Sequence, residues 1–160
     1  MGSASLYAGL AFFAGGSVSR METQTRYVDV YRASSNDWIR MPDGLGIARF
    51  RVVGASLPSG LVFFAGGDTS HWSAGSAHVD IYNSVTGTWT AISSGLGQAR
   101  RFLAAVSLPS GLVFFAGGNV GHGMAWFHFQ SFQIVLFSHF RVACYSCTAL
   151  FAVLFICTDM

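Results

Sequence analysis

The feature that most constrains this chain is a period of 51 residues. Residues 56–67 read SLPSGLVFFAGG and return unchanged at 107–118, and a weaker copy, SLYAGLAFFAGG, stands at 5–16. The same offset relates Asp29 to Asp80, Tyr31 to Tyr82, Trp38 to Trp89 and Arg49 to Arg100. A repeat held in constant register means that one supersecondary unit recurs, each copy covering its apolar faces with its neighbours. The period also accounts for the apolar run near the amino terminus. That run recurs twice inside the chain and has no basic residue ahead of it, so a strand is expected there and not a signal peptide.

Four β signals follow one another within a period. Residues 100–108 (RRFLAAVSL) and 112–116 (LVFFA) are nearly continuous apolar runs on either side of a Pro109-Ser110-Gly111 turn, the pattern of strands covered on both faces. Residues 78–83 (HVDIYN) alternate, with Val79 and Ile81 on one side and Asp80 and Tyr82 on the other, which predicts a half-exposed strand. A Val85-Thr86-Gly87 turn then leads into 88–92 (TWTAI). Four antiparallel strands per repeat, stacked in register, predict a β-propeller blade.

Composition supports an all-β reading and narrows the function classes. With 52% hydrophobic and 10% charged residues, the 160-residue chain has no room for a long disordered segment. All nine basic residues are arginine and seven acids oppose them, so a formal net charge of +2 is too small for the many phosphate contacts of a nucleic-acid binder. No nucleic-acid partner is expected. The cysteines, Cys144, Cys147 and Cys157, all lie in the last seventeen residues, so the repeats have no disulfide framework and the compartment stays open.

The doublets Gly15-Gly16, Gly66-Gly67 and Gly117-Gly118, with Tyr31 and Trp38 or Tyr82 and Trp89 seven residues apart, resemble the kelch repeat. Arg49 and Arg100 are similar to that family's Arg before the first strand, while Arg32 and Asn83 stand where it usually carries Asp. The resemblance covers 1–118 and implies an incomplete kelch-type propeller of four-stranded antiparallel blades. Physically, a double Gly after a buried strand allows a left-handed backbone and close approach of the next blade. Tyr and Trp fill the wedge between blades.

The expected organisation is 1–46 as a first blade lacking part of strand one, 47–97 as a complete blade, 98–118 as a half blade, and 119–160 as a non-repeat apolar tail able to form a helix. About three repeats are too few for a ring of ~4–8 blades. The chain is therefore expected to be a fragment of a larger propeller, or to self-associate or aggregate when isolated. Residues 142–158 carry no charge, and 132–158 is long enough to span a membrane but includes His139 and Arg141. A membrane tether through this tail is one reading. The other is that residues beyond about 121 are not a selected part of the fold, as a shifted reading frame or a retained non-coding stretch would give. Cys144 and Cys147 have half-site spacing without a second pair, so no metal or other cofactor is expected.

In an up-and-down blade the connection between strands two and three and the connection to the next blade emerge at one end. The two strand-two-to-three loops are equal in length but differ in content, SVSRMETQTRY at 17–27 against DTSHWSAGSAH at 68–78. Variable loops on a repeating scaffold mark a binding surface, which makes Arg20, Glu22, Arg26, His71, Trp72 and His78 the candidate contacts. Nothing in the repeats assembles a nucleophile, base and orienter. The expectation is a noncatalytic protein-interaction module with a protein partner. An enzyme resembling the galactose oxidase group is the alternative, although its Tyr-Cys radical link cannot form within repeats that lack Cys.

Overall fold

The structure is a computed structural model and describes residues 1–6, 9–18, 23–70, 75–121, 132–138 and 141–147. The first repeat forms β1 (Gly2–Leu6), β2 (Leu10–Ala14), a short hairpin of β3 (Ser17–Val18) and β4 (Thr23–Gln24), then β5 (Val28–Arg32) and β6 (Asp37–Met41). The second forms β7 (Val53–Ser56), β8 (Leu61–Ala65), β9 (Val79–Asn83) and β10 (Thr88–Ile92). The third begins with β11 (Ala104–Leu108) and β12 (Leu112–Ala116), and β13 (Phe132–Ser138) and β14 (Arg141–Cys147) follow. All pairing between these strands is antiparallel, in sheets ordered β1-β2-β5-β6 and β7-β8-β9-β10 and in the pairs β3-β4, β11-β12 and β13-β14. The fold is all-β, an incomplete propeller of stacked blades.

The apolar runs form strands because their side chains have a neighbour on each side. In β8, Val62 and Phe64 join Leu6, Phe12, Ala14, Val28 and Val30 in a core between the first two blades. Phe63 and Ala65, on the opposite face of the same strand, join Val79, Val113 and Phe115 in a second core. Alternate residues of one strand thus feed different cores, which is how a strand without polar alternation is buried. Tyr31 lies opposite Trp38, and Tyr82 opposite Trp89, with ring centroids 5.2 and 5.0 Å apart. Facing aromatic pairs of this kind stabilise a sheet beyond simple burial.

The glycine doublets lace one blade to the next. Gly16 N–H donates to the Arg49 carbonyl at 2.9 Å, and Gly67 N–H donates to the Arg100 carbonyl at 3.0 Å. All six doublet glycines have positive φ. A Cβ on Gly15 would lie 2.3 Å from the Arg49 oxygen, and one on Gly66 would lie 2.4 Å from Leu103 Cδ1 and 2.8 Å from the Arg100 oxygen. The leading arginine of each blade therefore occupies the space that a side chain on the preceding doublet would need.

Two expectations are corrected. Strand one of each repeat is shorter than its apolar run: the expected strand over 100–108 is confined to β11. Phe102 and the equivalent Arg51 have φ of 58° and 57°, which breaks the extended backbone. The polar groups upstream bond across to other loops, Arg100 with Ser76 and Arg101 with Asn119. In the first blade β1 pairs with β2 from Gly2 to Leu6.

The tail supplies the second correction. Residues expected to be able to form a helix instead make the hairpin β13-β14, rich in the aromatic and β-branched residues that suit strands. β13 lies alongside β12. Among the described residues no helix is long and apolar enough to cross a membrane. Cys144 and Cys147 fall on β14, and Cys157 lies outside the described residues.

The lacing predicts an asymmetry between equivalent glycines. Gly117→Ala meets nothing within 4 Å and bears only the left-handed backbone cost, about 1–2 kcal/mol. Gly66→Ala adds overpacking against the third blade, about 1–3 kcal/mol more. Denaturant unfolding of the two variants should show Gly66→Ala as clearly the less stable.

Candidate functional site

The connections that the sequence places at one end of each blade do meet there. Leu45 and Arg49, leading into the second blade, donate their amides to the carbonyls of Arg26 and Thr25 at 3.0 and 3.2 Å. One repeat later Leu96 and Arg100 donate to Ala77 and Ser76, both at 3.0 Å. The opposite end carries the tight turns, where Ser84 N–H donates to the Gly60 carbonyl at 2.9 Å. The loop-bearing end is thus built from backbone hydrogen bonds that recur with the period, and its side chains vary on that frame.

Beneath the loops lies a buried ion pair. Arg49 and Asp80 are both fully buried and joined through Nη2 and Oδ2. Arg49 Nη1 also donates to the carbonyls of Gly66 and His78 at 2.8 Å each, and Asp80 Oδ1 accepts the Gly46 amide at 2.9 Å. Burial pulls the Arg49 guanidinium below its ordinary pKa, while Asp80 pulls the other way. Arg49 remains a cation, because guanidinium is not deprotonated in proteins. The pair ties the connection between blades to β9 and to the glycine doublet together.

A second cluster stands beside it. Asp68 is fully buried and pairs with Arg51 Nη1 at 3.0 Å and, more loosely, with Arg101 Nη1 at 3.4 Å. The Arg51 guanidinium sits over two rings, 4.7 Å from the centre of Phe50 and 4.8 Å from that of Phe102. Cations over ring faces are attracted by the aromatic quadrupole, more strongly as water is excluded. Phe50 is buried, whereas Phe102 is 54% exposed. Backbone bonds fix the base of the cluster, with Phe50 and Asp68 exchanging both N–H···O contacts at 3.0 and 2.8 Å. Three guanidiniums, those of Arg49, Arg51 and Arg101, pair with two buried carboxylates at this end, and Arg100, bonded to the Gly117 carbonyl, adds a fourth positive charge.

Of the expected contact residues, Arg26 and His78 are placed and do not share a contact with each other. Arg26 is exposed and pairs with exposed Asp43 across the first blade's outgoing loop. His78 is half-buried, its amide donating to Ser76 Oγ at 3.1 Å. Burial lowers the pKa of its imidazole, nearby Arg49 lowers it further, and Asp80 offsets part of this. Arg20, Glu22, His71 and Trp72 lie outside the described residues. Among the described residues no group of three or more His, Cys, Asp or Glu side chains could hold a metal ion.

The cluster of Phe50, Arg51, Asp68, Arg101 and Phe102 is the feature that reading along the chain missed. Its signal is the triplet after each blade junction, Arg49-Phe50-Arg51 and Arg100-Arg101-Phe102, in which the second and third residues exchange places. That exchange brings the two inner arginines toward one carboxylate from successive repeats. A groove of about 420 Å³ lies between the first two blades, lined by Arg40, Met41, Pro42, Asp43, Tyr82 and Trp89 among others.

The fold defines the class, a stack of antiparallel propeller blades. Eighty chains of solved structures match this one. The structure of YjhT superposes over 92% of this chain with a TM-score of 0.70 at 11% sequence identity. This chain spans about half, 51%, of the YjhT chain. No family model and no curated protein matches the sequence.

The histidine gives a pH test. Its folded pKa is below the ordinary 6.5, so the unfolded chain binds more protons near that pH. Stability therefore rises with pH through this region and falls as the solution is acidified below about 6.5. His78→Tyr installs the residue that the first repeat carries at the equivalent position, Tyr27. Thermal melts from pH 5 to pH 8 should be flatter for this variant than for the parent chain.

Proposed function

We propose that this chain is a noncatalytic protein-interaction module on a kelch-type propeller scaffold, contacting a protein partner through the loop-bearing end. The observation that carries the reading is the cationic and aromatic cluster at that end, with Arg51 held over Phe102 and Phe102 open to solvent. Arginine and aromatic side chains on a rigid base are the groups that most often dominate protein interfaces. The positive field favours a partner segment bearing carboxylates next to an apolar side chain. The described parts of the candidate loops bond to the connections at this end through Thr25, Arg26, Ser76 and Ala77. The kelch-type assignment rests on the glycine doublets, the Tyr and Trp pairs and the leading arginines, each of which has a packing role in the blades.

The test is affinity purification from cell extract with three forms of the chain. The first is the parent, and the second carries Arg26→Ala with Phe102→Asn, since Asn tolerates the left-handed backbone at 102. The third carries Val85→Glu in an exposed turn at the opposite end. Proteins retained by the parent and by Val85→Glu should fall at least tenfold with the double variant. Equal recovery with all three, or copper-dependent oxidation of sugar alcohols by the parent, overturns the reading.

A further inference from the structure

The groove between the first two blades is lined in part by residues that the repeat explains and in part by residues that it does not. Tyr82 and Trp89 recur one period back as Tyr31 and Trp38. Trp38 is 61% exposed, whereas Trp89 is packed against the first core. The Tyr82 ring lies 5.4 Å from that of Phe12, and the Trp89 ring is stacked 6.3 Å from that of Phe64. Both rings are therefore braced by core residues, and both line the groove. Gly87, in the turn between their strands, also lines it, and a Cβ there would meet nothing within 4 Å.

The first blade supplies Arg40, Met41, Pro42, Asp43 and Gly44. One period on these become Ala91, Ile92, Ser93, Ser94 and Gly95, so the stack itself requires neither the two charges nor the proline. Arg40 is held by Asp29 through Nε and Nη2 at 2.7 and 3.2 Å, and Asp43 Oδ1 accepts from Arg26 Nη2. Among the described residues Arg40 Nη1 and Asp43 Oδ2 have no bonded partner. Both side chains are largely exposed, so water serves these atoms. Each charge is already matched by its own counter-ion. The groove thus offers a donor, an acceptor and an aromatic surface without a net charge of its own.

We propose that this groove binds an uncharged oligosaccharide. A hydrocarbon chain would cover the aromatic surface but strip water from Arg40 and Asp43 and give nothing back, which is costly. An anion or a cation would lose hydration beside groups that are already compensated, with no attraction to repay it. A sugar ring meets all three features. Its C–H face is apolar and suits the rings of Tyr82 and Trp89, while a hydroxyl accepts from Arg40 Nη1 and donates to Asp43 Oδ2. The volume of about 420 Å³ lies within the range of small-molecule sites, about 300–1,000 Å³. No lining residue is shared with the cluster of Phe50, Arg51, Asp68, Arg101 and Phe102, so the inference goes beyond the protein-partner reading and stands apart from it.

The test is an NMR titration of the ¹⁵N-labelled full chain with neutral oligosaccharides of glucose, galactose, mannose and xylose. An oligogalacturonate, a chitosan oligomer and an uncharged proline-rich peptide serve as controls. At least one neutral sugar should shift the Trp89 indole N–H, assigned with Trp89→Phe, together with the amides of Arg40, Met41, Asp43 and Gly44. The charged oligomers should bind at least tenfold more weakly. Asp43→Asn and Arg40→Gln change exposed side chains and should leave the dispersion of the spectrum intact while each weakens sugar binding at least tenfold. The Trp89 signal reports contact with the rings without altering the core. The proposal is overturned if no neutral sugar at millimolar concentration moves these signals, if the shifts map elsewhere, or if both variants bind as the parent does. Tighter binding of a charged oligomer, or stronger shifts of the same signals by the peptide, overturns it as well.

Discussion

No repeat in this chain can bury its own apolar residues. A four-stranded sheet has two faces, and the central strands here carry large side chains on both, as Phe63 and Phe64 show by pointing into different cores. Each blade is therefore a half-product whose folding is completed by its neighbours. The glycine doublets follow from that dependence, because blades packed face to face bring the backbone of one against the backbone of the next. The Arg49 and Arg100 carbonyls reach the doublets only because no Cβ intervenes. Stability in such a stack is shared between blades, and its ends are the places where the sharing stops.

The placement of polar groups follows the same geometry. Close packing at the loop-bearing end leaves carbonyls of the doublet and of the strand-two-to-three connection pointing inward, where they must be bonded. A guanidinium suits this task, since its planar set of donors serves several acceptors at once. Arg49 bonds Gly66, His78 and Asp80 together, and Arg100 bonds Gly117 and Gln98 one repeat later. The charge is thus part of the scaffold before it is part of any surface. Its outward effect falls on the neighbouring Arg51, Arg101 and Phe102, which stand over this base and reach solvent through Phe102.

Much of the fold was legible because the period is strict and the strand residues obey it. The strands over Leu112–Ala116 and Thr88–Ile92 fall where turn residues and apolar runs place them. The start of strand one did not, since left-handed backbone at Arg51 and Phe102 occurs without glycine and leaves no mark in composition. The tail was harder still, because seven-residue runs of Phe, Ile, Val and Leu satisfy a helix or a strand equally and β13 takes the strand beside β12. At the site, the loop-bearing end followed from topology alone. The Asp68 cluster was hidden because its two arginines, Arg51 and Arg101, occupy different positions of the repeat. Exposure of Trp38 was hidden for a different reason: the period gives Trp38 and Trp89 the same identity, and only the presence of a neighbour separates them.

Repetition creates a specificity problem that the polar residues address. Since the apolar faces of successive blades are nearly the same, burial alone would let one blade dock on any other with similar gain. The ion pairs are not repeated in this way. Asp29 is held by Arg40 on the adjacent strand, Asp80 is held by the buried Arg49, and the arginine of the third repeat bonds Gln98 and a carbonyl. A buried ion pair adds little net stability over a well-packed apolar group, but removing one partner's access to the other is costly. Misdocking the second blade would separate Asp80 from the Gly46 amide contributed by the connection out of the first. The apolar period thus makes stacking favourable, while the aperiodic charges fix the order in which the blades stack.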